Sequence, residues 1–155
     1  MAKMLFDAQR AVDVLESLAE VDNNRIGTMG HSLGAKEAFY LAAFDDRVKV
    51  AVSNEGGIGI GFSNWDAVWY LDKDIHNFGH EQHEVLALVA PKPFLLIGGD
   101  SSDGEKSRPY LKAVYPVYDL YGKKKQNIEL YNHGQGHWPT PFAEKLTYDW
   151  LIEHL

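Results

Sequence analysis

Apolar residues recur every three or four positions from Met4 to Glu20 (Leu5, Ala8, Val12, Leu15 and Leu18 among them), which predicts an amphipathic helix. Asp22-Asn23-Asn24 then reads as a turn that delivers the chain into a strand at Arg25–Met29. Gly30-His31-Ser32-Leu33-Gly34 follows, and after it Ala35, Ala38, Phe39, Ala42 and Ala43 form a small-residue helix face suited to packing on a sheet. Val48–Val52 is β-branched and bounded by Asp45-Asp46 and Gly56-Gly57, so it reads as a second strand. From His83 to Val89 the spacing predicts a short helix, closed by Ala90-Pro91-Lys92-Pro93. Phe94–Ile97 is a continuous apolar run between proline and glycine, as in a buried parallel strand. Glu105–Tyr121 is helical by spacing, with Pro116 expected to kink or divide it. Asn127–Tyr131 alternates as a last strand, and Phe142, Leu146, Trp150 and Leu151 mark a final helix.

Strands alternating with helices imply a parallel sheet of about four strands flanked by helices, the α/β class, in one domain spanning 1–155. Such sheets bind ligands at the carboxyl ends of their strands. That rule directs attention to the loops after the strands. Two stretches resist assignment to an element. Gly57–Asn77 holds Phe62, Trp65, Trp69 and Tyr70, which either wall a binding site, with Trp65 the candidate contact, or pack onto the core. Lys123-Lys124-Lys125 reads as a solvated turn near a helix end.

Composition narrows the function classes. The chain is 45% hydrophobic and 24% charged, with net charge −7, which disfavours nucleic acid or an anionic membrane as partner. It has no cysteine, so it forms no disulfide or thiolate metal site, and a reducing, cytoplasmic setting is expected. No leader-like segment, spanning apolar run or internal repeat is visible.

The chemistry gathers around Gly30-His31-Ser32-Leu33-Gly34. Three fixed residues of this kind arise by chance in about one chain in twenty of this length, so the context carries the weight. Strand, Gly-x-Ser-x-Gly and helix in that order is the setting of a nucleophile elbow. A serine hydroxyl needs a base, and the base needs a carboxylate to fix its tautomer. Ser32, an acid in Asp100–Asp103 and His137 each sit in a loop after an expected strand. His133 is the rival base, four residues before His137. His76, His80 and His83 match no metal-ligand spacing, so no metal or cofactor is expected.

These stretches carry a resemblance. Asn24–Gly34, Ala90–Asp100 and Gly136-His137 resemble α/β-hydrolases of the dienelactone-hydrolase and acetyl-xylan-esterase-like group. The resemblance implies a serine esterase acting on a small-molecule or carbohydrate ester. Ser32 would be the nucleophile, His137 the base and the Leu33 N–H one oxyanion donor, with His31 lining the pocket. It implies Asp103 as the acid by loop length, with Asp100 as the alternative. It also implies a departure, since members have strands before those seen here, so the domain resembles the C-terminal part of the fold. Two other readings stay open: an amidase or peptidase with the same triad, or a catalytically silent half-domain serving binding or assembly. An elbow strand lacking its outer neighbour would be an open edge, and a homodimer or higher homo-oligomer is expected.

Overall fold

A computed structural model describes residues 1–77, 79–122 and 127–155. Four strands, β1 (Ile26–His31), β2 (Val48–Asn54), β3 (Phe94–Gly98) and β4 (Ile128–Asn132), form one parallel sheet in the order β1-β2-β3-β4. Among the described residues five α-helices flank it: α1 (Ala2–Glu16), α2 (Leu33–Phe44), α3 (Gln82–Ala87), α4 (Arg108–Leu120) and α5 (Pro141–His154). The lysine run expected as a solvated turn lies outside the described residues.

β2 and β3 are central and apolar on both faces, as the unbroken runs Val50–Val52 and Phe94–Ile97 require. One face carries Ile26, Val48, Ala51, Phe94, Leu96 and Ile128 into a core shared with α1–α4. The other carries Val50, Val52, Leu95 and Ile97 against Ala143 and Trp150 of α5. The pleat thus divides β2 and β3 between two cores, and the strand ends are left free to carry chemistry.

Three helices differ from expectation for physical reasons. α1 stops at Glu16, because Leu18 is 44% exposed and the spacing that predicted four further residues finds nothing to pack on. α4 runs unbroken across Pro116, which is exposed together with Lys112. The carbonyl that the missing N–H leaves free is therefore open to water. α3 starts at a reciprocal cap between Glu81 and Glu84, a signal absent from the apolar spacing. The unassigned stretch holds two 3-10 turns, Ile60–Phe62 and Lys73–Asn77.

Candidate active site

The elbow is built by steric exclusion. A Cβ on Gly30 would lie 2.1 Å from the carbonyl oxygen of Gly34, so only glycine lets β1 and α2 meet at this angle. Ser32 takes φ 57° and ψ −114°, a conformation L residues avoid, at a cost of about 1–3 kcal/mol. Its N–H donates to the Asn54 carbonyl at 2.8 Å, which ties the elbow to the end of β2. Ser32 stands at the N-cap of α2 but makes no side-chain cap bond. The hydroxyl goes instead to His137, with Oγ 2.9 Å from Nε2.

The other imidazole nitrogen meets Glu55. His137 Nδ1 lies 3.3 Å from Glu55 Oε2. A carboxylate only accepts, so Nδ1 bears the proton and Nε2 is left as an acceptor for the serine hydroxyl. Glu55 is the residue directly after β2, is 1% exposed, and takes φ 55°. Its carboxylate accepts backbone N–H groups from Gly99, from Ser102 at 2.6 Å and from Asp103 at 3.4 Å. Those donors offset the desolvation of a buried charge.

The carboxylate beside His137 is thus that of Glu55, and not that of the expected Asp103 or Asp100. Asp103 is fully buried and its oxygens accept from Gly57 N–H at 2.6 Å, Ile58 N–H at 2.8 Å and the Ser107 hydroxyl at 2.8 Å. Burial pushes its carboxyl up from the usual range, with those three donors acting against the shift. Asp100 faces β4, where its Oδ1 accepts from Asn132 Nδ2 at 2.7 Å. Neither carboxylate is bonded to His137. The loop after β3 supplies backbone N–H groups, and the carboxylate that reaches His137 comes from the loop after β2. Glu55 carried the same signal as the residues that were singled out: a carboxylate beside Gly56-Gly57 at the end of an expected strand, between Ser32 and His137 in chain order.

The remaining candidates separate. Leu33 opens α2, and its N–H is one of the donors that a helix start leaves without an intrahelical acceptor. His31 Nε2 lies 2.7 Å from the His137 carbonyl oxygen, and the two rings are 4.8 Å apart. His31 thus holds the backbone of the loop that presents His137. Trp65 is not a substrate wall: it is 1% exposed, and its Nε1 donates to the Gly57 carbonyl at 2.6 Å. Its aromatic surface is used by the core, against Tyr40 and Tyr70. His133 accepts the Gln135 N–H at Nδ1, 3.1 Å away, while His137 occupies the place beside Ser32. His76 pairs with Asp66 and His80 with Glu84, and among the described residues no three potential metal ligands converge. Lys36, one turn into α2, is a buried cation over the rings of Trp65 and Tyr70, and burial lowers its pKa to about 8.

Known proteins resemble this chain in sequence and in fold. The profile of fungal glucuronyl esterases matches residues 5–76. A putative hydrolase of Bacillus subtilis, YtaP, is 33% identical over 103 residues, covering 62% of this chain and 34% of the relative. The 4-O-methyl-glucuronoyl methylesterase 1 of Wolfiporia cocos is 23% identical over 182 aligned positions, covering 94% of this chain and 44% of the relative. Glucuronoyl esterases from Solibacter usitatus and Caldicellulosiruptor kristjansonii superpose with a TM-score of 0.82, at 21% and 23% identity. Each superposition covers 97% of this chain, and 47% and 49% of the respective structures. The 2,6-dihydroxy-pseudo-oxynicotine hydrolase superposes with a TM-score of 0.68 at 20% identity, over 97% of this chain and 46% of that structure. The chain spans less than half the length of these relatives. At these identities the superpositions show the fold alone, and the matched proteins include glucuronoyl esterases. The four-stranded parallel sheet and its helices match part of an α/β-hydrolase fold, in a chain similar in sequence to carbohydrate esterases.

Proposed function

We propose that this chain carries the reacting side chains of a serine hydrolase for carboxylic esters of carbohydrates, with Ser32 as nucleophile, His137 as general base and Glu55 as the acid that orients it. The observation that supports this most is the pair of contacts on one imidazole, Ser32 Oγ at Nε2 and Glu55 Oε2 at Nδ1. Ser32 Oγ attacks the ester carbonyl while its proton passes to Nε2. The new oxyanion forms beside the start of α2, where the Leu33 N–H and the helix dipole oppose its charge. As the tetrahedral adduct collapses, Nε2 returns the proton to the departing alkoxide and the alcohol leaves. Water repeats the sequence on the acyl-enzyme and frees Ser32 and the acid. Glu55 holds the Nδ1–H tautomer throughout and stabilises the imidazolium.

The relatives named as 4-O-methyl-glucuronoyl methylesterases make a methyl ester of a glucuronoyl group the first natural substrate to try. Hydrolysis of p-nitrophenyl acetate and of methyl glucuronate is expected to be abolished in Ser32→Ala and His137→Ala. Turnover that survives Ser32→Ala unchanged ends this reading. A second reading, a folded module without turnover, draws on one observation. Leu33 is the residue directly after Ser32 and offers its N–H, whereas nucleophile elbows of this kind take a second oxyanion N–H from another loop, which no described residue is seen to supply. A fluorophosphonate probe separates the two, since it labels only an activated serine: labelled Ser32 supports the hydrolase, and an unlabelled folded sample supports the silent module.

A further inference from the structure

Glu55 and Asp103 are two buried carboxylates from neighbouring strand-end loops, and each is bonded to backbone beside the other. Glu55 accepts the N–H groups of Gly99, Ser102 and Asp103 from the loop after β3. Asp103 accepts the N–H groups of Gly57 and Ile58, two and three residues beyond Glu55 in the loop after β2. The loops therefore exchange carboxylates. The proposed reaction uses one of them and leaves the other without a task, although burying a charge is costly.

The local chain after β2 explains what the second carboxylate is for. Glu55 has φ 55° and Gly57 has φ 76°, so two left-handed residues flank Gly56. A turn containing Gly56-Gly57 has few side chains to define it and a large conformational freedom to lose. A left-handed non-glycine residue persists only where its surroundings over-determine it. Asp103 supplies that determination, with two oxygens on consecutive N–H groups. Asp103 is itself fixed by the Ser107 hydroxyl at 2.8 Å and by its own carbonyl, which accepts the Asp100 N–H at 2.8 Å.

We propose that Asp103 is a positioning residue: by clamping Gly57 and Ile58 it holds Glu55 in its left-handed conformation with Oε2 against His137 Nδ1. The inference rests on the Ser32–His137–Glu55 reading. It gives the aspartate that sequence placed as the acid a different part in the same site, acting through Glu55 without touching the imidazole.

Asp103→Asn keeps the shape but turns one acceptor oxygen into an NH2 donor facing a backbone N–H. The expected result is a folded protein whose kcat on p-nitrophenyl acetate falls about tenfold to a hundredfold with KM unchanged, the loss that a misplacement of about 1 Å produces. The downfield proton NMR resonance of His137 Nδ1–H should shift or broaden in the same variant. Ser107→Ala removes one donor to Asp103 and leaves the carboxylate, and its kcat should fall about threefold with the resonance shifting in the same sense. A folded Asp103→Asn with wild-type kcat and an unmoved resonance overturns the inference. Should Asp103→Asn fail to fold, Ser107→Ala decides on the same two readouts. Glu55→Gln keeps this test separate from that of the reaction. If Glu55→Gln also leaves kcat and the resonance unchanged, the triad reading itself falls. If Glu55→Gln abolishes turnover while Asp103→Asn does not lower it, only the positioning role falls.

Discussion

The backbones of Gly99 and Gly136 are in direct contact: the Gly136 N–H donates to the Gly99 carbonyl at 2.7 Å, and a Cβ on Gly99 would lie 1.8 Å from the Gly136 oxygen. Gly99 also gives its N–H to Glu55, and Gly136 precedes His137. One residue without a side chain thus joins the loop that carries His137 to the carboxylate of Glu55.

Gly99→Ala is therefore expected to damage the site more than the fold. The methyl must displace the Gly136 carbonyl, and overpacking of this kind costs about 1–3 kcal/mol. Moving the His137 loop by about 1 Å would lower turnover about a hundredfold. Thermal unfolding read beside fluorophosphonate labelling of Ser32 checks both halves. Labelling at the wild-type rate would show that the contact between the two loops does not position His137.

Glu55→Gln should lower kcat on the order of 10³–10⁴-fold, because an amide can offer a donor to Nδ1 and stabilise the wrong tautomer. Asp100→Asn should change kcat by no more than about threefold, since Asp100 is occupied with Asn132. A parallel kinetic comparison of the two variants settles the ranking. A larger loss in Asp100→Asn would move the acid to the loop after β3.

The contrast between Glu55 and Ser32 shows what the sequence could reveal. Ser32 lies in a five-residue pattern whose glycines are required by local sterics, so the elbow, its strand and its helix were legible together. The apolar runs that became β2 and β3 were legible because breakers bound them. Glu55 shares its strand-end position between Ser32 and His137 with Asp100 and Asp103, and nothing local sets it above them. Its part depends on β2 and β3 being neighbours, on a left-handed backbone at Glu55, and on N–H groups from residues 99–103. Asp103 was expected as the acid, but its carboxylate turns to Gly57, Ile58 and Ser107, a direction the chain alone cannot show. Trp65 misled for a related reason: an aromatic residue in an irregular stretch serves equally as pocket wall or core, and its indole N–H found the Gly57 carbonyl inside.

β1 occupies one edge of the sheet, and among the described residues it pairs only with β2. Met29 on this strand is 48% exposed. An open strand edge is a template for another chain, and a second copy pairing antiparallel through a two-fold axis would cover it. A homodimer or higher homo-oligomer is expected by light scattering at low micromolar concentration. Met29→Lys should weaken the association at least about tenfold by placing a charge on the edge. A stable folded monomer at that concentration would refute the expectation.

Lys36 gives a pH dependence whose sign is fixed by its burial. Its Nζ donates to Ser63 Oγ at 2.7 Å and Asn64 Oδ1 at 3.4 Å, over the rings of Trp65 and Tyr70. Burial lowers its pKa to about 8, while the charge of Asp103 pulls the other way. In the unfolded chain the lysine titrates near about 10.4. Below pH 8 both states hold the proton, and the folded state bears the full desolvation penalty. Between pH 8 and about 10.4 the unfolded chain holds a proton that the folded chain has released, so stability rises with pH. Comparison with Lys36→Met isolates this group, because the other titrating side chains, among them Tyr110 with its pKa pushed up to about 12, are common to both proteins. The stability of the wild type relative to Lys36→Met should increase by about 1 kcal/mol between about pH 7.5 and 10, allowing for solvent screening. Urea midpoints across that range measure it. A difference that stays constant, or that falls as pH rises, would mean that the folded state keeps Lys36 charged and that the rings and hydroxyls around it fully replace water.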